Sequence, residues 1–179
     1  MVVIFSLSAP NSISCGESLV MGGLSSVVSR LFCMIKIIFP DYPFKIKSES
    51  DKEFIFDEVR KQWVKLTPEE WVRQNFLRYL IDEKKYPSSL MSVEKEIKLN
   101  DLRKRCDIVV YNQQSEPWLM VECKSMDEPL NENVAAQILR YQQALPVSYL
   151  IITNGQYCYG FMKEGNELKE INELPDYSS

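Results

Sequence analysis

Asp107, Glu122 and Lys124 are the residues whose types and spacing could do chemistry. Glu122 and Lys124 lie two apart in W-L-M-V-E-C-K (118–124), a run that reads as a strand. Side chains two apart on a strand share a face, so this pair projects together. Asp107 lies in R-C-D-I-V-V-Y (105–111), a second strand. If the two strands are neighbours, two carboxylates and an ammonium converge at one end of a sheet. Their surroundings are apolar: Ile108, Val109, Val110, Leu119, Met120 and Val121. Charges in such company must be paired, bind a metal or lie at an edge. Two carboxylates repel each other unless a cation lies between them. Mg²⁺ suits that role, because it takes a few carboxylates together with waters and phosphate oxygens. Such a metal would lower the pKa of a bound water and stabilise charge on a phosphodiester. Lys124 would orient or help deprotonate that water. The plain alternative is a salt bridge from Lys124 to Glu122 or Asp107 at a solvated strand end.

Composition narrows the chemistry further. The 179 residues contain no histidine, which removes Ser-His-Asp and Cys-His catalysis and His-ligated zinc. The five cysteines form no C-x-x-C pair, so neither a disulfide framework nor a zinc knuckle is expected, and the thiols read as those of a cytoplasmic protein. Cys106 and Cys123 lie inside the key strands and are expected to be buried packing residues. A net charge of −4 excludes a polybasic nucleic-acid coat but leaves room for a local basic patch. Lys98, Arg103, Lys104 and Arg105 form such a run ahead of Asp107. They could hold phosphates beside the site or decorate a solvated loop.

The elements that must position these residues follow from pattern. Phe54, Ile55 and Phe56 make a short apolar patch, and Val59, Trp63 and Leu66 then fall at helical spacing over 57–66. T-P-E-E-W-V-R-Q predicts a helix over 68–84, with Thr67 as N-cap, Pro68 at N1 and Glu70 completing a capping box. Alternation over 92–99 predicts a strand, followed by the strands at 105–111 and 118–124 in an antiparallel meander. A helix is expected over 131–145 and a buried strand over 147–153. Asn154-Gly155 predicts a type I′ hairpin into a return strand at 156–163, with an edge strand over 166–172. Helices interrupting strands imply an α/β fold, a mixed central β-sheet flanked by helices.

Residues 1–33 do not match the rest. Glu17 and Arg30 are their only charges, and Pro10, Gly16, Gly22 and Gly23 break their apolar runs. They make a poor secretory signal and a poor membrane span. Translation is expected to begin at Met34, with 34–179 as one domain and 1–33 an atypical extension.

These motifs carry a family resemblance from about 39 to 160. F-P-D-Y-P-F-K-I-K (39–47), L-T-P-E-E-W-V-R-Q (66–74), K-R-C-D-I-V-V-Y (104–111), V-E-C-K (121–124), Q-I-L-R-Y (137–141) and T-N-G (153–155) resemble the PD-(D/E)XK nuclease superfamily. More closely, they resemble the N-terminal nuclease domain of type I restriction enzyme R subunits in a short stand-alone form. The resemblance implies a restriction-endonuclease-like fold and a metal-dependent DNA endonuclease using Mg²⁺, with Mn²⁺ able to substitute. It makes Asp107 and Glu122 metal ligands, the Cys123 carbonyl a further ligand, and Lys124 the catalytic lysine. Gln137 and Tyr141 match its Q-x-x-x-Y motif, and four-residue spacing lets them share a helix face. An acid on the first helix is also implied, and Glu69 and Glu70 both qualify. One departure is Cys106, where many members have proline. The chain contains no G-x-x-x-x-G-K-[ST], so ATP-driven translocation is not expected of it alone. DNA is the implied partner, with another protein as a possible recruiter. The alternative is a nucleic-acid-binding or interaction module that keeps the fold without turnover.

Overall fold

The computed structural model describes residues 34–99, 102–131, 147–165 and 167–177. Expectations for residues 1–33 and for the helix over 131–145, with Gln137 and Tyr141, therefore fall outside the described residues, Asn131 apart.

The architecture is mixed α/β. A main sheet runs in the order β1 (Ile35–Lys36), β9 (Tyr157–Glu164), β8 (Tyr149–Thr153), β7 (Pro117–Cys123), β6 (Leu102–Tyr111), β5 (Met91–Leu99), with β10 (Glu167–Ile171) also pairing β9. The meander β5–β6–β7 is antiparallel, as its alternation predicts, whereas β7 and β8 are parallel. Parallel neighbours need a crossover, and here it spans residues 124–148.

The helix α1 (Pro68–Arg78) starts where its capping signals place it. The Thr67 hydroxyl accepts the Glu70 amide at 3.1 Å, and Pro68 occupies the first turn. The expected helix to residue 84 continues only as one wider π-type turn, Tyr79–Glu83, closed by the Lys84 amide on the Tyr79 carbonyl at 3.1 Å. Val72, Phe76, Leu77 and Leu80 bury against Ile108, Val110, Leu119, Val121, Cys123 and Ile151 on one face of the sheet. A second apolar cluster, including Cys106, Val109, Met120, Leu150 and Ile152, occupies the other face. Thr67→Ala should cost about 1 kcal/mol of stability, the usual worth of such a cap. A denaturation midpoint indistinguishable from the parent would show that the cap is replaced by water.

The region ahead of α1 corrects the sequence reading. Residues 57–66 are not helical. β2 (Ile46–Glu49), β3 (Lys52–Asp57) and β4 (Gln62–Lys65) form a separate antiparallel sheet. The i, i+4, i+7 spacing of Val59, Trp63 and Leu66 is overridden by local turn chemistry. The Asp57 carboxylate accepts the Val59 and Arg60 amides at 2.8 and 2.7 Å, and Lys61 adopts a φ of 54°. Trp63 then faces Phe56 across the strands, ring centroids 5.4 Å apart.

The β8–β9 hairpin is present, but not as a type I′ turn at Asn154-Gly155. Thr153 pairs with Cys158, and positive φ falls on Gly155 (88°) but not on Asn154. Residues 154–157 lie between that last pair, and the Tyr157 amide goes to Asn154 Oδ1 instead of closing a backbone turn. Asn154 instead uses its side chain. It accepts the Gln156 and Tyr157 amides and donates to the Glu128 carbonyl, tying down the chain after β7. Among the described residues no helix is long and apolar enough to cross a membrane.

Candidate active site

The site begins at an irregularity in β6. Cys106 buries in one core cluster and Ile108 in the other, so face alternation slips at Asp107. Opposite it, between the Val93–Ile108 and Lys95–Cys106 pairs, Glu94 takes a φ of 52°. A left-handed conformation at a non-glycine residue is costly and persists only where its surroundings over-determine it. On the other side, the β6–β7 ladder stops at Ile108–Val121. Beyond it, the Asp107 side chain replaces the backbone partner: Oδ2 accepts the Cys123 amide at 2.7 Å.

Glu122 and Lys124 flank Cys123. Lys124 Nζ lies 3.6 Å from Glu122 Oε1, so the two do project together from the end of β7. Their side chains are 17% and 18% exposed, and Asp107 is 16% exposed, which leaves all three reachable from solvent. The Lys124 amide donates to the Thr153 carbonyl of β8 at 2.8 Å, which fixes the strand end. The buried Cys123 thiol reflects how closely the charges gather. Burial raises it well above its ordinary value, Asp107 raises it further, Arg73 opposes, and Glu122 and Glu69 add to the rise. It is an inert packing thiol, as expected, since a nucleophilic cysteine needs the opposite shift.

Asp107 has a partner that sequence reasoning missed. Arg73, on α1 and only 4% exposed, donates from one Nη2 to Asp107 Oδ1 at 2.9 Å and to Glu69 Oε1 at 2.7 Å. Its Nη1 bonds Glu70 and approaches Glu94 at 3.9 Å. Burial works to lower its pKa, but Asp107 and Glu70 beside it raise it, so it is a permanent cation. Arg60 forms a parallel hub, bonding Asp57 at 2.5 Å, Glu70 at 2.7 Å and Glu94. Gln74 donates to both Asp57 and Glu70 at 2.8 Å. One continuous polar network thus joins the β3–β4 hairpin, α1, β5 and β6. Arg73 was legible in part: Glu69 and Glu70 precede it by four and three residues, the spacing of helical ion pairs. Arg60, Asp57 and Glu94 carried no such signal.

This geometry separates the two first-helix acids. The Glu70 carboxylate does not turn back to close a capping box. It is buried and held by Arg60, Arg73 and Gln74. Glu69 is half exposed and shares Arg73 Nη2 with Asp107. The basic run lies on the β5–β6 hairpin, where Lys98 pairs with Arg103, Lys104 with Ile97 and Arg105 with Glu96. Exposed Arg105 reaches Glu94 Oε1 at 2.6 Å. Partial burial works to raise the Glu94 carboxyl, but Arg105, Arg60 and Arg73 hold it below its ordinary value.

The model of the type I restriction enzyme R protein N terminus matches residues 68–175, well over half of the chain. The chain belongs to this family. The matched span opens on the first residue of α1 and takes in Asp107, Glu122 and Lys124. It closes at Pro175, whose carbonyl accepts the buried Tyr86 hydroxyl at 2.5 Å. The strands β1 to β4 all precede the matched span. No curated protein is similar enough to count as a match.

The donor set can be tested against the metal the resemblance implies. Among the described residues, no three Asp, Glu or Cys side chains gather into a cage by themselves. Two carboxylates with a main-chain carbonyl is instead the sparse, all-oxygen set that Mg²⁺ accepts, waters completing its shell. Asp107 Oδ1 accepts from Arg73 and Oδ2 from the Cys123 amide, and each oxygen has a second lone pair to offer a cation. The residues fit.

Proposed function

We propose that this chain is a Mg²⁺-dependent DNA endonuclease of the R-subunit N-terminal type, with a restriction-endonuclease-like fold. The observation that carries the reading is the strand end where Asp107 locks onto the Cys123 amide beside the Glu122–Lys124 pair. Asp107, Glu122 and the Cys123 carbonyl would hold the metal, with Glu69 the better placed first-helix acid. Bound there, the metal supplies an acidified water and charge stabilisation at the scissile phosphate. Lys124, held 3.6 Å from Glu122, would orient an attacking water and neutralise charge developing on the phosphate. Arg73 and the Cys123 amide fix the Asp107 carboxylate from two sides, so its orientation is set before substrate arrives. Arg105, with Lys98, Arg103 and Lys104 on the same hairpin, is the candidate grip on DNA phosphates. The reading places the protein with DNA in the cytoplasm, where a further protein could recruit it. Mn²⁺ would serve in place of Mg²⁺.

Metal titration tests it. Mg²⁺ or Mn²⁺ should raise the melting temperature by mass action, by an amount equivalent to about 2.7 kcal/mol at a hundred times the dissociation constant. Asp107→Asn should abolish the increment and plasmid nicking together. An unchanged metal response in that variant would remove Asp107 from the site. The second reading, a DNA-binding module without turnover, draws on Arg73, which already neutralises Asp107. It predicts DNA binding with neither metal response nor nicking.

A further inference from the structure

The small sheet ahead of the family match has two unlike faces. Its inner face carries Ile55 and Asp57, both fully buried. Its outer face follows from the register. Lys47, Phe54 and Lys65 form one row across the three strands, and Phe56 and Trp63 lie in the next. Lys45 joins that row, its carbonyl accepting the Phe56 amide at 3.0 Å. Lys52 pairs with Glu49 in a third row. This face therefore presents three aromatic rings, four lysines and one acid, on a chain whose net charge is −4. Trp63 is 40% exposed, although Phe56 packs edge-on against it. Lys47 Nζ lies 4.7 Å from the Trp63 ring centre and 5.7 Å from that of Phe54, and Lys45 Nζ lies 5.1 Å from that of Phe56. The ion pairs of these lysines are with exposed acids, Lys45 with Glu58 and Lys47 with Glu49. Exposed pairs of that kind are weak and easily exchanged for a phosphate.

Part-exposed rings edged by lysines suit one polymer in particular. Every unpaired base offers a π-face for stacking, and the backbone that carries it brings a phosphate at each step. A duplex hides its bases and could use only the lysines. We propose that the outer face of β2–β3–β4 binds single-stranded nucleic acid, with bases stacked on Trp63 and Phe56 and phosphates on Lys45, Lys47 and Lys65. This site is separate from the strand end at Asp107 and needs no metal.

The test uses the full chain in EDTA, so that loss of cleavage cannot be mistaken for loss of binding. Fluorescence anisotropy follows a labelled oligo(dT) of about 12 nucleotides, within the site sizes such surfaces cover, and a duplex of equal length. Trp63→Ala should weaken oligo(dT) binding by roughly tenfold or more, the worth of one stacked base, while Trp63→Phe keeps most of the affinity. Lys47→Gln with Lys65→Gln should flatten the salt dependence of binding by about 0.7 in log–log slope for each phosphate no longer neutralised. Unchanged oligo(dT) affinity and salt slope in the lysine variant would overturn the proposal, and that variant decides the matter even if Trp63→Ala fails to fold. Equal weakening of duplex binding, or a change in self-association in place of oligonucleotide affinity, would overturn it as well.

Discussion

Lys124→Ala is expected to reduce plasmid nicking by roughly 10³-fold, the scale of losing a positioned proton-transfer or charge-stabilising group, while DNA affinity stays within a few-fold. The reason is the placement of the ammonium. It lies beside Glu122 at the end of β7, in partial contact with solvent, and the residue joins β8 through its main-chain amide, which extends the β7–β8 ladder. The side chain is thus dispensable to the ladder. If the pair were purely structural, the same change would remove one partly buried ion pair and lower stability, with no bearing on cleavage. Chemical denaturation and a nicking assay on the one variant tell the two apart. Normal nicking by Lys124→Ala would sink the catalytic assignment.

The second large effect is expected at Arg73. Arg73→Met should destabilise the fold by about 3–5 kcal/mol, the usual result of removing one member of a buried ionic cluster. The cost arises less from the missing attraction than from what is left behind. Glu70 would remain buried between Arg60 and Gln74, and Asp107 would be held by the Cys123 amide without its cation. Arg73→Lys should recover only part of the loss, since a single ammonium cannot reproduce a planar fork spanning Glu69, Glu70 and Asp107. Urea denaturation at constant m-value measures both. If the Met variant lost under about 1 kcal/mol, the cluster would behave as an exposed ion pair, and Arg73 could not be what holds Asp107 in place. Added Mg²⁺ should also stabilise the Met variant more than the parent, because a cation at Asp107 restores the missing charge.

This network illustrates where reading a sequence stops. The strands bearing Asp107 and Glu122, the second ending just before Lys124, were legible because alternation at period two and turn-forming residues are local properties. The start of α1 was legible for the same reason: Thr67, Pro68 and Glu70 act within one turn of one another. The pairing of β6 with β7 also followed from their short polar connection. The helical reading of 57–66 failed because periodicity counts only apolar positions. It gives no weight to an aspartate that caps a turn two and three residues ahead, or to a lysine that accepts positive φ. The expected type I′ turn at Asn154-Gly155 does not form because cross-strand register, which fixes the loop, depends on both strands at once.

By itself, then, the sequence determined the strands around the candidate residues and the start of the helix in front of them. Only the tertiary structure decided how those residues meet. Asp107 reaches the Cys123 amide because β6 loses its alternation opposite a left-handed Glu94, an event produced by pairing between strands. Glu69 and Glu70 are neighbours in sequence, yet one faces solvent and the other is buried among two arginines and a glutamine. Arg73 joins α1 to β6 across 34 residues. Such contacts depend on the distance between chain segments in space, and no local pattern of residue types encodes that distance.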